Sequence, residues 1–157
     1  MAGEAAYFFV ILQLWFLVNV IVQACDPPCL YFSAGRVIKS IELSSNKISS
    51  NVTELQAHDG RVLAVAVDME EKTLYFSNQV SRTIKRIDLK SSKIEDVASE
   101  VGYCEDIAID WVNKYIYWTD NNNGRIEMSR GNGSDRKVFF DRDVQNPRGI
   151  AVDPVHG

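Results

Sequence analysis

Ile116-Tyr117-Trp118-Thr119-Asp120 indicates the fold of this chain, because related, shorter motifs recur along the sequence. Related tetrads occur at Leu30-Tyr31-Phe32-Ser33 and at Leu74-Tyr75-Phe76-Ser77. The three copies begin at residues 30, 74 and 116. A period of about 43 residues is typical of arrays in which each repeat is one supersecondary unit. We therefore expect Tyr75 and Tyr117 to occupy equivalent positions in neighbouring repeats.

A second motif keeps the same period, and it is a short apolar run that ends in aspartate. It occurs as Val65–Asp68, Ile107–Asp110 and Ile150–Asp153. Apolar runs without polar alternation suit strands that are buried on both faces. A carboxylate at the end of such a strand is expected to accept backbone hydrogen bonds rather than to act in catalysis.

Each repeat scans as four short strands joined by tight turns. Between residues 106 and 140 the strands are predicted at 107–110, 115–119, 125–129 and 137–140, with aromatic and β-branched composition in the second. Asn121-Asn122-Asn123-Gly124 separates two of them, and Asn-Gly favours a tight hairpin with positive φ at both central positions. The unit at 62–98 is also predicted to contain four strands, with a less tight hairpin after the second.

Four strands per unit, repeated at this period, predict the blades of an all-β propeller. A β-sandwich is the alternative, but its strands need not recur at matching positions. The blade pieces are predicted at residues 30–56, 62–99, 106–140 and 149–157. The first piece has no apolar inner strand before it, and the last is an inner strand with nothing after it. We expect an incomplete propeller, a fragment whose open ends expose apolar surface and associate with other chains.

Residues 1–24 are predicted to be a secretory signal peptide, which leaves 25–157 as the propeller piece. The segment from Tyr7 to Val22 has no charge, and Val22-Gln23-Ala24 fits a small-residue cleavage site. A membrane signal anchor is the alternative, although the uncharged run is shorter than the roughly 20 residues that span a bilayer.

Composition and cysteine content support a secreted globular domain. The chain has 157 residues and a net charge of −4, so no basic surface indicates nucleic-acid binding. Cys25 is close enough to Cys29 to form a disulfide, and Cys29 could instead pair with Cys104. The cysteine spacing fits no metal site. Two sequons predict N-glycosylation at Asn51 and Asn132.

Enzymatic chemistry has no support in the sequence. The two histidines, His58 and His156, lie in no nucleophile motif, and Cys104 has no local signature of a catalytic thiol. An intracellular WD propeller has a similar period. It would carry no leader and no glycan, and a Gly-His pair before the tetrads is missing.

The tetrad at Tyr117–Asp120, together with Arg125–Glu127 and Asn146–Pro154, resembles the YWTD (class B) repeat of the low-density-lipoprotein receptor family. The motif is degraded in the first two repeats. The resemblance implies a six-bladed extracellular propeller of four-stranded antiparallel blades, and its start directly after a leader is similar to the Wnt co-receptor branch. The repeat residues, to which we assign structural roles, are Tyr117, Trp118, Thr119, Asp120, Asp68, Asp110, Arg148 and Asp153.

The resemblance implies an extracellular receptor module that binds secreted protein ligands, such as a Wnt-like protein or an antagonist, through one propeller face. The alternatives are an endocytic lipoprotein-receptor-like module and a matrix, nidogen-like one. No cofactor is expected, the location is the secretory pathway or the cell surface, and membrane contact would come through a part absent here. Loops held by rigid blades are the expected contact sites: Asn78, Arg82, Asn121, Asn122, Asn123, Asp141, Arg142 and Asp143.

Overall fold

The computed structural model describes residues 20–23, 29–44, 47–56 and 60–156, and in these ranges the protein is all-β. Twelve strands form three antiparallel sheets of four, and the strand order in each sheet follows the chain. None of these ranges forms a helix of the length and apolarity needed to cross a membrane. Blade 1 consists of β1 (Val20–Gln23), β2 (Cys29–Ala34), β3 (Val37–Ser44) and β4 (Lys47–Gln56). Blade 2 consists of β5 (Val62–Asp68), β6 (Thr73–Asn78), β7 (Thr83–Asp88) and β8 (Ile94–Ala98). Blade 3 consists of β9 (Ile107–Asp110), β10 (Tyr115–Asp120), β11 (Arg125–Arg130) and β12 (Lys137–Phe140).

The strand register confirms the repeat. Tyr75 lies opposite Ala66 of the inner strand β5, and Tyr117 lies opposite Ala108 of the inner strand β9. A one-residue difference in register would have turned one of the two tyrosines to the other face of its sheet. The two tyrosines therefore occupy equivalent places, as the period predicts.

The blades pack face to face through two apolar clusters. Tyr31 and Phe76 belong to the cluster between blades 1 and 2, and Tyr75 and Trp118 belong to the cluster between blades 2 and 3. Every residue of β5 is buried, because this strand lies between the flanks of two neighbouring blades. Burial on both sides explains why the strand is apolar without alternation.

The N-terminal edge of the array differs from the expectation. Val20–Gln23 pairs with β2 and fills the inner-strand place of blade 1, which the sequence predicted to be vacant. Without β1, the outer backbone groups of β2 would form an exposed sheet edge. The pairing with Val20–Gln23 provides hydrogen-bond partners for this edge. The strand lies within the segment predicted to be a signal peptide, and that assignment stays a prediction.

The C-terminal inner strand is the second correction. Residues 149–153 carry the apolar-aspartate motif but form no strand. A strand needs a hydrogen-bonded neighbour, and no described strand follows this segment to supply one.

Candidate ligand-binding face

The loops predicted to bind ligand lie against one another around blade 2. The turn 79–82 follows β6, and Gln79 donates its backbone N–H to the carbonyl of Arg61 at 2.9 Å. On the other side, Val101 donates to the carbonyl of Arg82 at 3.0 Å, and Gln79 Nε2 donates to the carbonyl of Cys104 at 2.5 Å. The turn is thus held between the connection that enters blade 2 and the one that enters blade 3.

Blade 3 repeats this arrangement. Asn121, in the turn after β10, donates its N–H to the carbonyl of Tyr103 at 3.1 Å, and its side-chain amide to the carbonyl of Pro147 at 3.5 Å. Gly124 approaches the carbonyl of Val144 so closely that a Cβ would collide with it. We call the surface formed by turns 79–82 and 121–124 with connections 99–106 and 141–149 the candidate ligand face.

Asn78 is a correction among the predicted contact residues, because it is 1% exposed. Its Oδ1 accepts the backbone N–H groups of Val80 and Ser81 at 3.0 and 3.1 Å, which makes it a turn cap. Asp120 holds the same place in blade 3 and accepts from Asn123 N at 3.1 Å. These side chains stabilise the turns from inside and offer no surface to a ligand.

The turns themselves also differ from the expected tight hairpin. Asp120 pairs with Arg125, so the loop between them has four residues, and in it Gly124 has positive φ while Asn123 does not. Arg82 holds the equivalent place in blade 2 with φ of 54°, and the loop there has the same length. Capping by the residue before the turn, rather than an Asn-Gly pair, sets this geometry.

The other predicted contact residues reach solvent. Asn121 is half-buried, whereas six are exposed. Two of the six are arginines and two are aspartates, so the candidate ligand face carries alternating charge rather than a field of one sign. The six exposed residues are Arg82, Asn122, Asn123, Asp141, Arg142 and Asp143.

A partly buried ionic network lies beneath this face in blade 3, and the sequence analysis missed it. Asp120 Oδ2 is 3.2 Å from Arg125 Nε, and Arg125 Nη2 is 2.8 Å from Glu127 Oε1. Glu127 Oε2 in turn binds Arg136 Nε at 2.8 Å, and the Arg136 guanidinium lies 5.5 Å from the ring of Trp118. Arg136 also donates to the carbonyl of Ser99, so the network joins blade 3 to blade 2. The sequence signal for this network was Glu127, a charged residue at a strand position whose side chain points into the interior.

The aspartates that end the apolar-aspartate motif accept backbone hydrogen bonds, as the sequence predicted, although Asp153 follows a segment that forms no strand. Each uses Oδ1 to accept two backbone N–H groups of the turn that follows: Asp68 from Glu70 and Glu71, Asp110 from Val112 and Asn113, and Asp153 from Val155 and His156, all at 2.8 to 3.2 Å.

The hydroxyl of the tetrad connects blades. Thr119 Oγ1 accepts from Asp106 N and donates to the carbonyl of Arg148, both at 3.2 Å. Ser33 Oγ donates to the carbonyl of Leu63, the equivalent position at the entry to blade 2, at 3.4 Å. Arg148 enters this contact through its backbone, while its side chain lies 3.8 Å from Glu105.

The cysteine alternatives are partly resolved. Cys104 is buried between blades 2 and 3 and forms no disulfide, so the Cys29–Cys104 pairing is not formed. Burial, with the Asp106 carboxylate, raises the pKa of the Cys104 thiol far above its usual range, which makes it inert. Cys25 and the side chain of Asn51 lie outside the described residues, so the Cys25–Cys29 disulfide and the Asn51 glycan stay predictions.

The opposite face contains a cleft between blades 2 and 3. Its volume is about 410 Å³, and Tyr75, Lys114 and Arg130 are among its lining residues. Lys114 Nζ reaches across it to Glu70 at 2.7 Å. Asn132, the second predicted glycosylation site, is exposed at its rim. Among the residues that the structure describes, no group of three potential metal ligands comes together.

Comparison with known proteins gives this geometry a family. The family model for the low-density lipoprotein receptor repeat class B matches residues 114–154. Low-density lipoprotein receptor-related protein 5 of Mus musculus is 32% identical over 142 residues, which cover 87% of this chain and 9% of that protein. Nidogen-2 of Mus musculus is 32% identical over 115 residues, 71% of this chain and 8% of that protein. The chain therefore spans less than a tenth of these curated relatives.

Solved structures agree. A chain in the crystal structure of a nidogen/laminin complex superposes with a TM-score of 0.77 at 28% identity, covering 82% of this chain and 50% of that one. A virginiamycin B lyase from Staphylococcus aureus superposes with a TM-score of 0.67 at 18% identity, covering 89% of this chain and 47% of the lyase, which shows the fold alone.

These relatives support an extracellular binding module. The tetrad in register with the inner strand, the aspartate caps and the hydroxyl between blades are the structural content of the repeat that the family model recognises. The chain belongs to the low-density lipoprotein receptor class B, or YWTD, repeat family and forms three blades of its propeller.

Proposed function

We propose that the chain is part of an extracellular receptor that binds a secreted protein through the candidate ligand face, in the manner of a Wnt co-receptor. The observation that carries the proposal is the 32% identity, over 87% of this chain, to a low-density lipoprotein receptor-related protein. The partner would be a Wnt-like protein or a secreted antagonist of one.

The structure supports a preformed protein-binding surface. Its turns are capped from below by Asn78 and Asp120, and Arg82 Nε is tied to the carbonyl of Val101 at 3.2 Å. Rigid loops lose little conformational entropy when a partner binds. Alternating charge on the face favours specificity in the choice of partner more than raw affinity.

A pair of charge reversals tests which face binds. Arg82→Glu changes the candidate ligand face, and Lys90→Glu makes the same change at an exposed turn between β7 and β8, which lies at the other end of the strands. The full chain, immobilised on a sensor, would be exposed to a purified Wnt protein. We expect Arg82→Glu to weaken binding at least about fivefold and Lys90→Glu to leave it unchanged. Equal losses from the two variants, or no binding by the unmodified chain, would contradict the proposal.

A matrix role is the second candidate, and the likeness to nidogen-2 and to the nidogen/laminin structure favours it. Laminin, passed over the same sensor, separates the two. Binding of laminin without the Wnt protein would replace the receptor proposal by the matrix one.

The extracellular location depends on passage through the secretory pathway. We expect the chain to leave secreting cells with its N-terminus at Cys25 and with glycans at Asn51 and Asn132. Intact mass before and after glycosidase treatment measures both. Recovery of unmodified protein that begins at Met1 from the cytosol would contradict this location.

A further inference from the structure

The cleft between blades 2 and 3 is a polar space with walls from both blades. Its volume of about 410 Å³ is in the range of small-molecule sites in proteins. A molecule seated in it would contact two blades at once. The walls include Thr73, Tyr75 and Arg86 from blade 2, and Lys114 and Arg130 from blade 3.

A glycine leaves room at this junction. Gly131 follows β11 directly, and a Cβ on it would collide with Tyr75 Oη of blade 2. Leu89 holds the equivalent place in blade 2, because β7 and β11 pair with the preceding strand in the same register. The side chain of Leu89 packs against the apolar cluster between blades 1 and 2. Gly131 has no side chain and instead lines the cleft between blades 2 and 3.

Asn132 is the next residue, and the turn that carries it is anchored to blade 2 on both sides. The carbonyl of Gly131 accepts from Arg86 Nη1 at 3.2 Å. Gly133 has φ of 88°, and a Cβ on it would collide with the carbonyl oxygen of Val97. Asn132 is exposed at the rim of the cleft, so a group attached to its side chain begins there.

The side chain of Asn132 presents its amide nitrogen for modification. Its Oδ1 accepts from Ser134 N at 3.0 Å and from Ser134 Oγ at 2.8 Å, whereas its Nδ2 donates to no residue in the part of the chain that the structure describes. N-glycosylation bonds this nitrogen to the anomeric carbon of an N-acetylglucosamine. The bond from that carbon to the diphosphate of a lipid-linked donor breaks, and one amide proton is released.

We propose that the first N-acetylglucosamine on Asn132 lies in the cleft and ties blade 3 to blade 2. The proposal rests on the extracellular location proposed above, because glycosylation requires the secretory pathway. The hydroxyl and acetamide groups of the sugar match the hydrogen-bonding groups of Thr73, Lys114 and Arg130. Attachment at the rim makes the contact intramolecular, so a weak interaction is enough to hold the sugar in place.

This position of the glycan also agrees with the proposed binding face. The cleft lies on the face opposite to the candidate ligand face. A glycan held in the cleft leaves turns 79–82 and 121–124 open to a protein partner.

Stepwise removal of the glycan tests the proposal. The full chain with Asn51→Gln would be expressed from Met1 in secreting cells that make high-mannose glycans, so that Asn132 is the remaining sequon. An endoglycosidase that leaves one N-acetylglucosamine should not change Tm. An amidase that removes the whole glycan should lower Tm by about 2–4 °C. A loss at the trimming step, an unchanged Tm after complete removal, or a secreted chain with no glycan at Asn132 would overturn the proposal.

Variants of the sequon separate the sugar from the turn. Asn132→Asp prevents glycosylation but keeps an oxygen that accepts from Ser134, and Ser134→Ala prevents it while keeping the amide of Asn132. Both should show the lowered Tm of the amidase-treated chain. Ser134→Thr is the matched control, because it keeps the sequon and the hydroxyl, and its Tm should equal that of the glycosylated chain. Either unglycosylated variant with the Tm of the glycosylated chain would contradict the proposal.

Acylation of lysines shows where the sugar lies, without any substitution. Lys114 lines the cleft, and the exposed Lys90 in the turn between β7 and β8 is the control. We expect Lys114 to be protected in the glycosylated chain and to lose this protection on complete deglycosylation, while the reactivity of Lys90 stays constant. Equal reactivity of Lys114 in both forms would place the sugar in solvent and overturn the proposal. A chain that binds the Wnt protein but gives that result contradicts this inference alone, whereas a protected Lys114 without partner binding contradicts the receptor proposal alone.

Discussion

Each blade has a forward flank, which is the face that points toward the next blade in the chain. The forward flanks of blades 2 and 3 are built from equivalent strands in the same register, but in the structure one is covered and the other is not. Tyr75 is 5% exposed beneath blade 3, whereas Tyr117 is half-buried and leans on Phe139, with their ring centroids 5.2 Å apart. The difference shows that a blade's own sheet fixes where an aromatic side chain lies. Its burial, and so its contribution to stability, comes from the neighbouring blade.

The largest expected effect tests this difference at two adjacent residues of β10. Trp118 faces blade 2 and is fully buried, while Tyr117 faces away from it. Trp118→Ala should lower the free energy of unfolding by about 3–5 kcal/mol, and Tyr117→Ala by about 1 kcal/mol. Urea unfolding followed by circular dichroism, at protein concentrations too low for association, measures both. Similar losses would mean that the forward flank of blade 3 is covered in the isolated chain.

The second prediction compares a buried ion pair with an exposed one at equivalent places. Glu127 in β11 is buried between two arginines, whereas Lys85 in β7 pairs at 2.5 Å with Asp96, whose side chain is 64% exposed. Glu127→Ala should cost about 2 kcal/mol, because Arg125 and Arg136 lose their partner in a partly desolvated site. Asp96→Ala should cost less than about 1 kcal/mol. The same unfolding experiment applies, and a larger loss from Asp96→Ala would contradict the prediction.

The third prediction compares two glycines, one in close contact with a neighbouring side chain and one in open space. Gly102, in the connection between blades 2 and 3, lies against Asp120, and a Cβ there would collide with the carboxylate. Gly102→Ala should destabilise the fold by about 1–3 kcal/mol. Gly149 is at the open end, where the nearest atom to such a Cβ is Asp106 Oδ2 at 4.0 Å, so Gly149→Ala should be nearly neutral. Thermal melting separates the two, and equal shifts in Tm would count against the close approach.

The sequence predicted what depends on local pattern. The period predicted that Tyr75 and Tyr117 occupy equivalent positions, and the structure places them opposite Ala66 and Ala108. The aspartates after the apolar runs of β5 and β9 were predicted to accept backbone hydrogen bonds, and they do so. These features recur in each repeat, so they can be recognised by comparing the repeats of a single sequence with one another.

What the sequence did not predict depends on contacts between repeats or at the ends of the array. The burial of Asn78 follows from Gly60, which leaves space for it, and Gly102 does the same for Asp120. That pair of glycines was a readable signal, since it keeps the repeat period. The pairing of Val20–Gln23 with β2 gave no such signal, because an uncharged apolar segment has a composition that suits both a strand and a signal sequence.

Alkaline pH tests the covered flank through its tyrosine. Burial raises the pKa of Tyr75 above its ordinary value of 10.0, although Arg86 opposes the shift. The stability associated with the protonated phenol is fully present below pH 10 and is lost as pH rises through the pKa of the folded state. We expect Tyr75→Phe to reduce the loss of stability above pH 10, measured as Tm against pH. If Tyr117→Phe reduced it more, burial by blade 3 would not be the cause.

The smallest expected effect is at the rim of the cleft, where Lys114 joins blade 3 to blade 2. Its Nζ lies 2.7 Å from Glu70 and 3.3 Å from Glu71, and these carboxylates raise the pKa of Lys114. Val112 and Asn113 replace the two glutamates in blade 3, so the open flank has no equivalent acidic pair. Lys114→Met should cost at most about 0.5 kcal/mol at low salt, because exposed ion pairs gain little. The cost should vanish in about 1 M salt, where screening acts over roughly 3 Å. A loss that is larger or independent of salt would mean that the lysine stem, packed between the blades, contributes more than its charge.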